Sequence, residues 1–169
     1  MADQEITSTK ECWSDPQISQ RLMIITYVIG GIGYLIGFSK MSSDGAEAAV
    51  GPVALLSVGV VGIVSMIRHS LFHRSDAARM GWDLGRRNNF QIETGFANLA
   101  IGLPALAAVA LDWGVVVEAA FVLAYALYFL QVTMLVFIDR EDGKVDVPRV
   151  ATMLMQTGFL GYFALGGLT

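Results

Sequence analysis

Long stretches without charge, broken by short polar segments, fill the chain from residue 22 onward. Five apolar runs stand out, at 22–38, 50–67, 90–111, 115–138 and 150–168. Each approaches the roughly 20 residues an α-helix needs to cross a bilayer's hydrocarbon core. In lipid the backbone must satisfy its own hydrogen bonds, so runs of this length predict helices rather than strands. Pro52 opens the second run and Pro148 just precedes the fifth, as suits first helical turns. Only Asp112, Trp113 and Gly114 separate the third run from the fourth. Such a short connection predicts two antiparallel neighbouring helices. The predicted fold is all-α: one integral membrane bundle of five transmembrane helices over 22–169, preceded by a polar segment, 1–21.

Charge placement orients this bundle. If all five runs span, Lys10 and Arg21, then Arg68, Arg74, Arg79, Arg86 and Arg87, then Arg140, Lys144 and Arg149 share one side. Lys40 alone falls on the other. The positive-inside rule then places the N-terminus in the cytoplasm and the C-terminus outside. The N-terminal segment carries Asp3, Glu5, Glu11 and Asp15 against Lys10 and Arg21, which is not the pattern of a cleavable signal peptide. Tyr27, Tyr34, Trp82 and Trp113 lie near run ends, where an aromatic belt would sit.

Composition agrees and narrows the chemistry. The 169 residues are 54% apolar and 15% charged, with net charge −4. Soluble domains average about 25% charged residues. Cys12 is the single cysteine and reads as a free thiol. There is no basic tail or aromatic-basic interleaving, so no nucleic-acid partner is expected. A nucleophile elbow, a phosphate-binding glycine loop and a CxxC pair are also absent, and no cofactor is specified.

The third run carries the most polar pattern. Gln91, Gly95, Asn98 and Gly102 form one helical stripe, and Glu93, Ala97, Ala100, Pro104 and Ala107 form another on the opposite side. Small residues on both faces let neighbours approach closely, which predicts this helix at the centre of the bundle. An intramembrane carboxylate is costly and so is either functional or paired. Glu93 is therefore either a proton, cation or metal site or the partner of Arg86 or Arg87. Asn98 suits interhelical hydrogen bonding. His69 and His73, four apart, would share a helix face and could chelate a metal with Glu93. The alternative for the same basic segment, with Arg68 and Arg74, is an anionic-lipid interface. Ser75 suits the N-cap of a short helix lying on the membrane surface, with Arg79, Met80 and Trp82. Gly33 and Gly37 form a GxxxG pair, and Ala120 and Ala124 a small-xxx-small pair, both suited to helix packing. Gln131 suits packing inside the bundle. The glycine–aromatic segments 31–37 and 158–164 look alike, without the regularity of a true repeat.

Two segments carry a resemblance. AlaArgMetGlyTrp at 78–82 and PheGlnIleGluThrGlyPheAlaAsnLeuAlaIleGly at 90–102 are similar to a family of small bacterial multi-pass membrane proteins of unknown function. The resemblance covers about 25 residues; elsewhere the match is only to generic apolar spans. It implies special status for Arg79, Gly81, Trp82, Phe90, Gln91, Glu93, Gly95, Asn98 and Gly102 and a bacterial inner-membrane location; the family has no assigned activity, so the resemblance bears on topology and site location and not on function. The histidine pair lies outside it.

Three function classes remain open. The first is a non-catalytic accessory or assembly subunit, favoured by the small size and short loops, with a membrane-protein partner or a homo-oligomer beside the lipid bilayer. The second is a small oligomeric transporter or channel using Glu93, Gln91 and Asn98. The third is a membrane metalloenzyme built on His69, His73 and Glu93.

Overall fold

The computed structural model describes residues 13–138 and 147–169. Cys12, Lys10, Arg140 and Lys144, which enter the thiol and charge readings, lie outside the described residues. Among the described residues six helices succeed one another from Pro16 on: α1 (Pro16–Asp44), α2 (Ala46–Leu71), α3 (His73–Arg79), α4 (Asn89–Ala110), α5 (Val115–Ile138) and α6 (Val147–Leu168). The fold is all-α, and among the described residues four helices are long and apolar enough to cross a membrane: α1, α2, α4 and α5. α6 spans 22 residues but is diluted by Thr152, Gln156, Thr157 and its glycines, and it does not join those four.

α1 starts inside the polar N-terminal segment. Asp15 is its N-cap, its carboxylate accepting from the Gln17 N–H at 2.9 Å, and Pro16 opens the first turn. α2 likewise begins earlier than its apolar run, at Ala46. Pro52 therefore sits one turn deeper than expected, inside the helix. It brings no N–H to the ladder, and at the next residue the chain widens into a π-helix over Val53–Val60. A second π stretch, Ile67–Leu71, ends α2, with the Phe72 N–H bonded to the Ile67 carbonyl at 3.1 Å.

The expectation that the third run lies at the centre is corrected. That place belongs to α2, which packs against α1, α4, α5 and α6. In its most apolar stretch 50% of the residues are buried, against 28% in α4. The reason is that α2 presents small residues in several directions. Ser57 donates its hydroxyl to the Gly30 carbonyl of α1 at 2.8 Å. A Cβ on Gly33 would stand 2.3 Å from that same Ser57 Oγ. On the α4 side, a Cβ on Gly62 would lie 2.8 Å from Gly102 Cα, and one on Gly102 2.9 Å from Gly62 Cα. Between apolar helices in lipid there is no hydrophobic drive to associate, so backbone approach of this kind is what holds them.

α5 and α6 pack along each other, and α4 packs on α5 across the Asp112–Gly114 turn. Asp112 and Gly114 both take positive φ there, 52° and 92°. The two similar glycine–aromatic segments meet face to face. Tyr34 and Phe38 of α1 pack against Phe159 and Phe163 of α6, Tyr34 stacked on Phe163 and the other pairs edge-on or tilted, with Phe38 and Phe163 ring centroids 4.8 Å apart. The Tyr34 hydroxyl also donates to Gln156. A Cβ on Gly37 would meet Val53 at 2.7 Å and the Phe163 ring at 3.0 Å. The aromatic residues of the two segments thus share a packing surface, whereas a Cβ on Gly158 or Gly161 would meet nothing within 4 Å.

Candidate functional site

The buried polar groups collect at the end of the bundle where α1 and α4 begin and α2 ends. α3 brings Asp76, whose side chain is fully buried. Its Oδ1 accepts from the Ser19 hydroxyl of α1 at 2.5 Å and from Arg79 Nη2 at 3.0 Å. The Arg79 Nε in turn donates to Ser19 Oγ at 3.1 Å. Arg68 Nε lies 3.7 Å from the same carboxylate. Ser75 of α3 is buried, accepts the Ser19 N–H at 2.9 Å and donates to the Asp15 carbonyl. It is not the cap expected for a surface helix: α3 starts two residues earlier, and Ser75, Asp76 and Ala77 form its inward face.

His69 completes the cluster. Its Nε2 accepts from Arg68 Nη2 at 2.5 Å, so the ring proton is on Nδ1. That N–H points at Gln91 Oε1 of α4, 3.0 Å away, while Asp76 Oδ2 lies 2.8 Å from the same nitrogen. Asp76 Oδ2 and Arg68 Nε are buried without a well-aligned hydrogen bond among the described residues. Burial pushes the Asp76 carboxyl up. The adjacent His69 ring, the charge of Arg68 and the Ser19 hydroxyl together outweigh it and hold the group well below the usual carboxylate range. An aspartate–histidine pair is a familiar acid–base unit, but here the nitrogen that would meet a substrate is already engaged by Arg68.

A second polar contact set lies deeper. Asn98 of α4 accepts from the Tyr125 hydroxyl of α5 at 2.7 Å, and its Nδ2 donates to Tyr128 Oη at 3.2 Å and to the Thr94 carbonyl at 2.8 Å. The stripe Gln91, Gly95, Asn98, Gly102 is buried as one face of α4. A Cβ on Gly95 would stand 2.0 Å from Ser70 Oγ, which itself bonds the Ile92 carbonyl.

Other expected residues fall elsewhere. Glu93 is exposed on the outer face of α4, away from Gln91 and Asn98, and forms no ion pair with Arg86 or Arg87. The metal set His69, His73 and Glu93 is not assembled. The turn at Phe72 (φ −101°, ψ 34°) breaks the helix between the two histidines, turning His69 inward while His73 sits on α3 with Nδ1 3.5 Å from the Asn88 N–H. Among the described residues no three His, Cys, Asp or Glu side chains form a metal-holding group. Ala120 is exposed and Ala124 half-buried, because α5 packs instead through Ala119, Val122, Tyr125 and Ala126. Gln131 faces outward as well. Trp82 is 40% exposed. Sequence reasoning missed Asp76 and Ser19, whose only signals were an acidic residue among arginines and a serine one turn before an apolar run.

The model of a family of unknown function, DUF6790, covers residues 18–139, which include every residue of both polar sets except the Asp15 carbonyl. No curated protein and no solved structure matches the chain.

Proposed function

We propose, for a chain that belongs to DUF6790, a family of unknown function, a non-catalytic role as an accessory or assembly subunit of a membrane complex. The observation that carries this reading is the use made of the buried polar groups. Asp76, Ser19, Ser75, His69, Gln91 and Asn98 each bond to a neighbouring helix, and His69 has no ring nitrogen left for a substrate. Hydrogen bonds across helices are used here as packing glue. In this reading the chain has five passes, α6 being the fifth, with its N-terminus in the cytoplasm and its C-terminus outside a bacterial inner membrane. Arg68, Arg74, Arg79, Arg86 and Arg87 all lie at the end where α1 begins, which supports that orientation. A reporter fused to Thr169 should be active outside the cytoplasm; cytoplasmic activity would remove the fifth pass.

Mass spectrometry of the tagged protein purified from native membranes in mild detergent should find a second membrane protein in stoichiometric amount. A homogeneous product without it would overturn the subunit reading. The transporter reading would then lead, since Gln91 and Asn98 do share one buried face of α4. It would have to proceed without Glu93.

A further inference from the structure

The segment between α3 and α4 is built to hold apolar and cationic side chains together at one level. Gly81 takes φ 83° at the end of α3, and the Trp82 N–H bonds back to the Ala77 carbonyl at 2.9 Å, a helix-ending turn that needs a left-handed residue. Asp83 then fixes the loop. It accepts from Arg74 Nη2 at 3.0 Å and from the Gly85 N–H at 3.1 Å. The hydrogen bond from Arg74, helped by the Gly85 N–H, holds Asp83 below its ordinary value against the opposing effect of burial. Asn88 caps α4 by accepting from the Gln91 N–H at 3.2 Å.

Between these anchors Trp82, Leu84, Arg86 and Arg87 face outward, Leu84 being 74% exposed. Phe90 comes next on α4, also exposed. Beside them a groove of about 270 Å³ is lined by Trp13, Leu71, His73 and Arg74, with Trp13 stacked on Phe72 at 5.1 Å. The arginines over 68–88 outnumber the aspartates by three. The two aspartates are already engaged, Asp76 in the buried cluster and Asp83 by Arg74. Arg86 and Arg87 take part in no ion pair found among the described residues.

We infer that this loop and groove form a docking surface for the headgroups of anionic phospholipids. Four apolar helices fix the bundle in lipid, and α3 with this loop joins the end of α2 to the start of α4, where a span meets the membrane surface. At that level tryptophan and leucine partition into the interface while arginine meets phosphate. Exposed Leu84 and Trp82 beside Arg86 and Arg87, which form no ion pair among the described residues, match both halves of that environment. The inward face of α3 is spent on Asp15 and Ser19, so the lipid contact falls to its outward-facing start at His73 and Arg74 and to the loop after it.

The test counts lipids retained by the purified full-length protein, by native mass spectrometry, after equilibration with equal phosphatidylglycerol and phosphatidylcholine. Wild type should keep phosphatidylglycerol preferentially. The preference should fall about fivefold for each arginine removed in Arg86→Gln and Arg87→Gln. Lys40→Gln, at the opposite end, should leave it unchanged, and circular dichroism should show all variants equally helical. Equal retention of both lipids by wild type, or an unaltered preference in the double arginine variant, would overturn the inference. The purified chain carries no partner in this experiment, so its result stands apart from the subunit reading.

Discussion

Asp76→Ala should destabilise the bundle by about 3–5 kcal/mol, the range for removing one member of a buried ion pair. The substitution leaves Arg68 and Arg79 facing each other without their carboxylate, and removes the acceptor of the Ser19 hydroxyl. Unfolding in mild detergent, by heat or by SDS titration, gives the measurement. Asp83→Ala is the comparison, since it breaks a partly exposed pair with Arg74 and should cost about 0–1 kcal/mol. If the two variants unfold alike, the cluster does not hold the helices together. The direction of the shift sets the sign of the pH effect. Asp76 is held below its ordinary value when folded. Its contribution is therefore complete above about pH 4 and is lost as pH falls from there toward the folded value. Asp76→Asn should flatten that acid-side loss, because nothing remains at the position to protonate.

The second large effect is expected at the crossing of α2 and α4. Gly102→Val would place branched carbons where Gly62 Cα already lies within 3 Å of a first Cβ. The nearest atoms are backbone, including the Gly59 and Val58 carbonyls at 3.0 and 3.1 Å, so no side chain can swing aside. Overpacking a close-fitted core costs about 1–3 kcal/mol, and a rigid backbone contact belongs at or above the top of that range. Folded yield and SDS-unfolding midpoint should both fall. Gly158→Ala and Gly161→Ala, which meet nothing within 4 Å, should leave them unchanged. Equal tolerance at all three sites would mean that α2 and α4 do not approach as described.

The hydrophobic runs gave up the helices readily, because a stretch that long and apolar has few other solutions in lipid. The short Asp112–Gly114 connection gave up a neighbour pair for the same reason. The stripe Gln91, Gly95, Asn98, Gly102 was also legible, since polar and small residues at helical spacing stand out against an apolar background. α5 was not: between Val115 and Ile138 nearly every position is apolar, so period arithmetic gives no phase, and Ala120 and Ala124 looked as suitable as the Ala119 and Ala126 that pack. The Asp76 cluster was hidden for another reason. Ser19 and Asp76 lie 57 positions apart, and no local pattern joins them. Glu93 drew attention because a carboxylate near a span is costly, yet it stands exposed on the outer face of α4 rather than beside a partner.

The wide turns of α2 have a consequence for how this family can vary. An α-helix advances about 100° per residue, and a π stretch absorbs extra residues without lengthening the helix in proportion. Val53–Val60 and Ile67–Leu71 therefore act as adjustable joints that set the angular phase of the residues beyond them. Ser57 lies inside the first joint and addresses α1; Gly62 lies beyond it and addresses α4; His69 lies inside the second and addresses Gln91. Losing one residue from a joint would rotate every later side chain onto a different neighbour while the span kept nearly its length. Within this helix an insertion or deletion acts as a change of partner, and a family member of different length at 53–60 would have rewired its core without changing its topology.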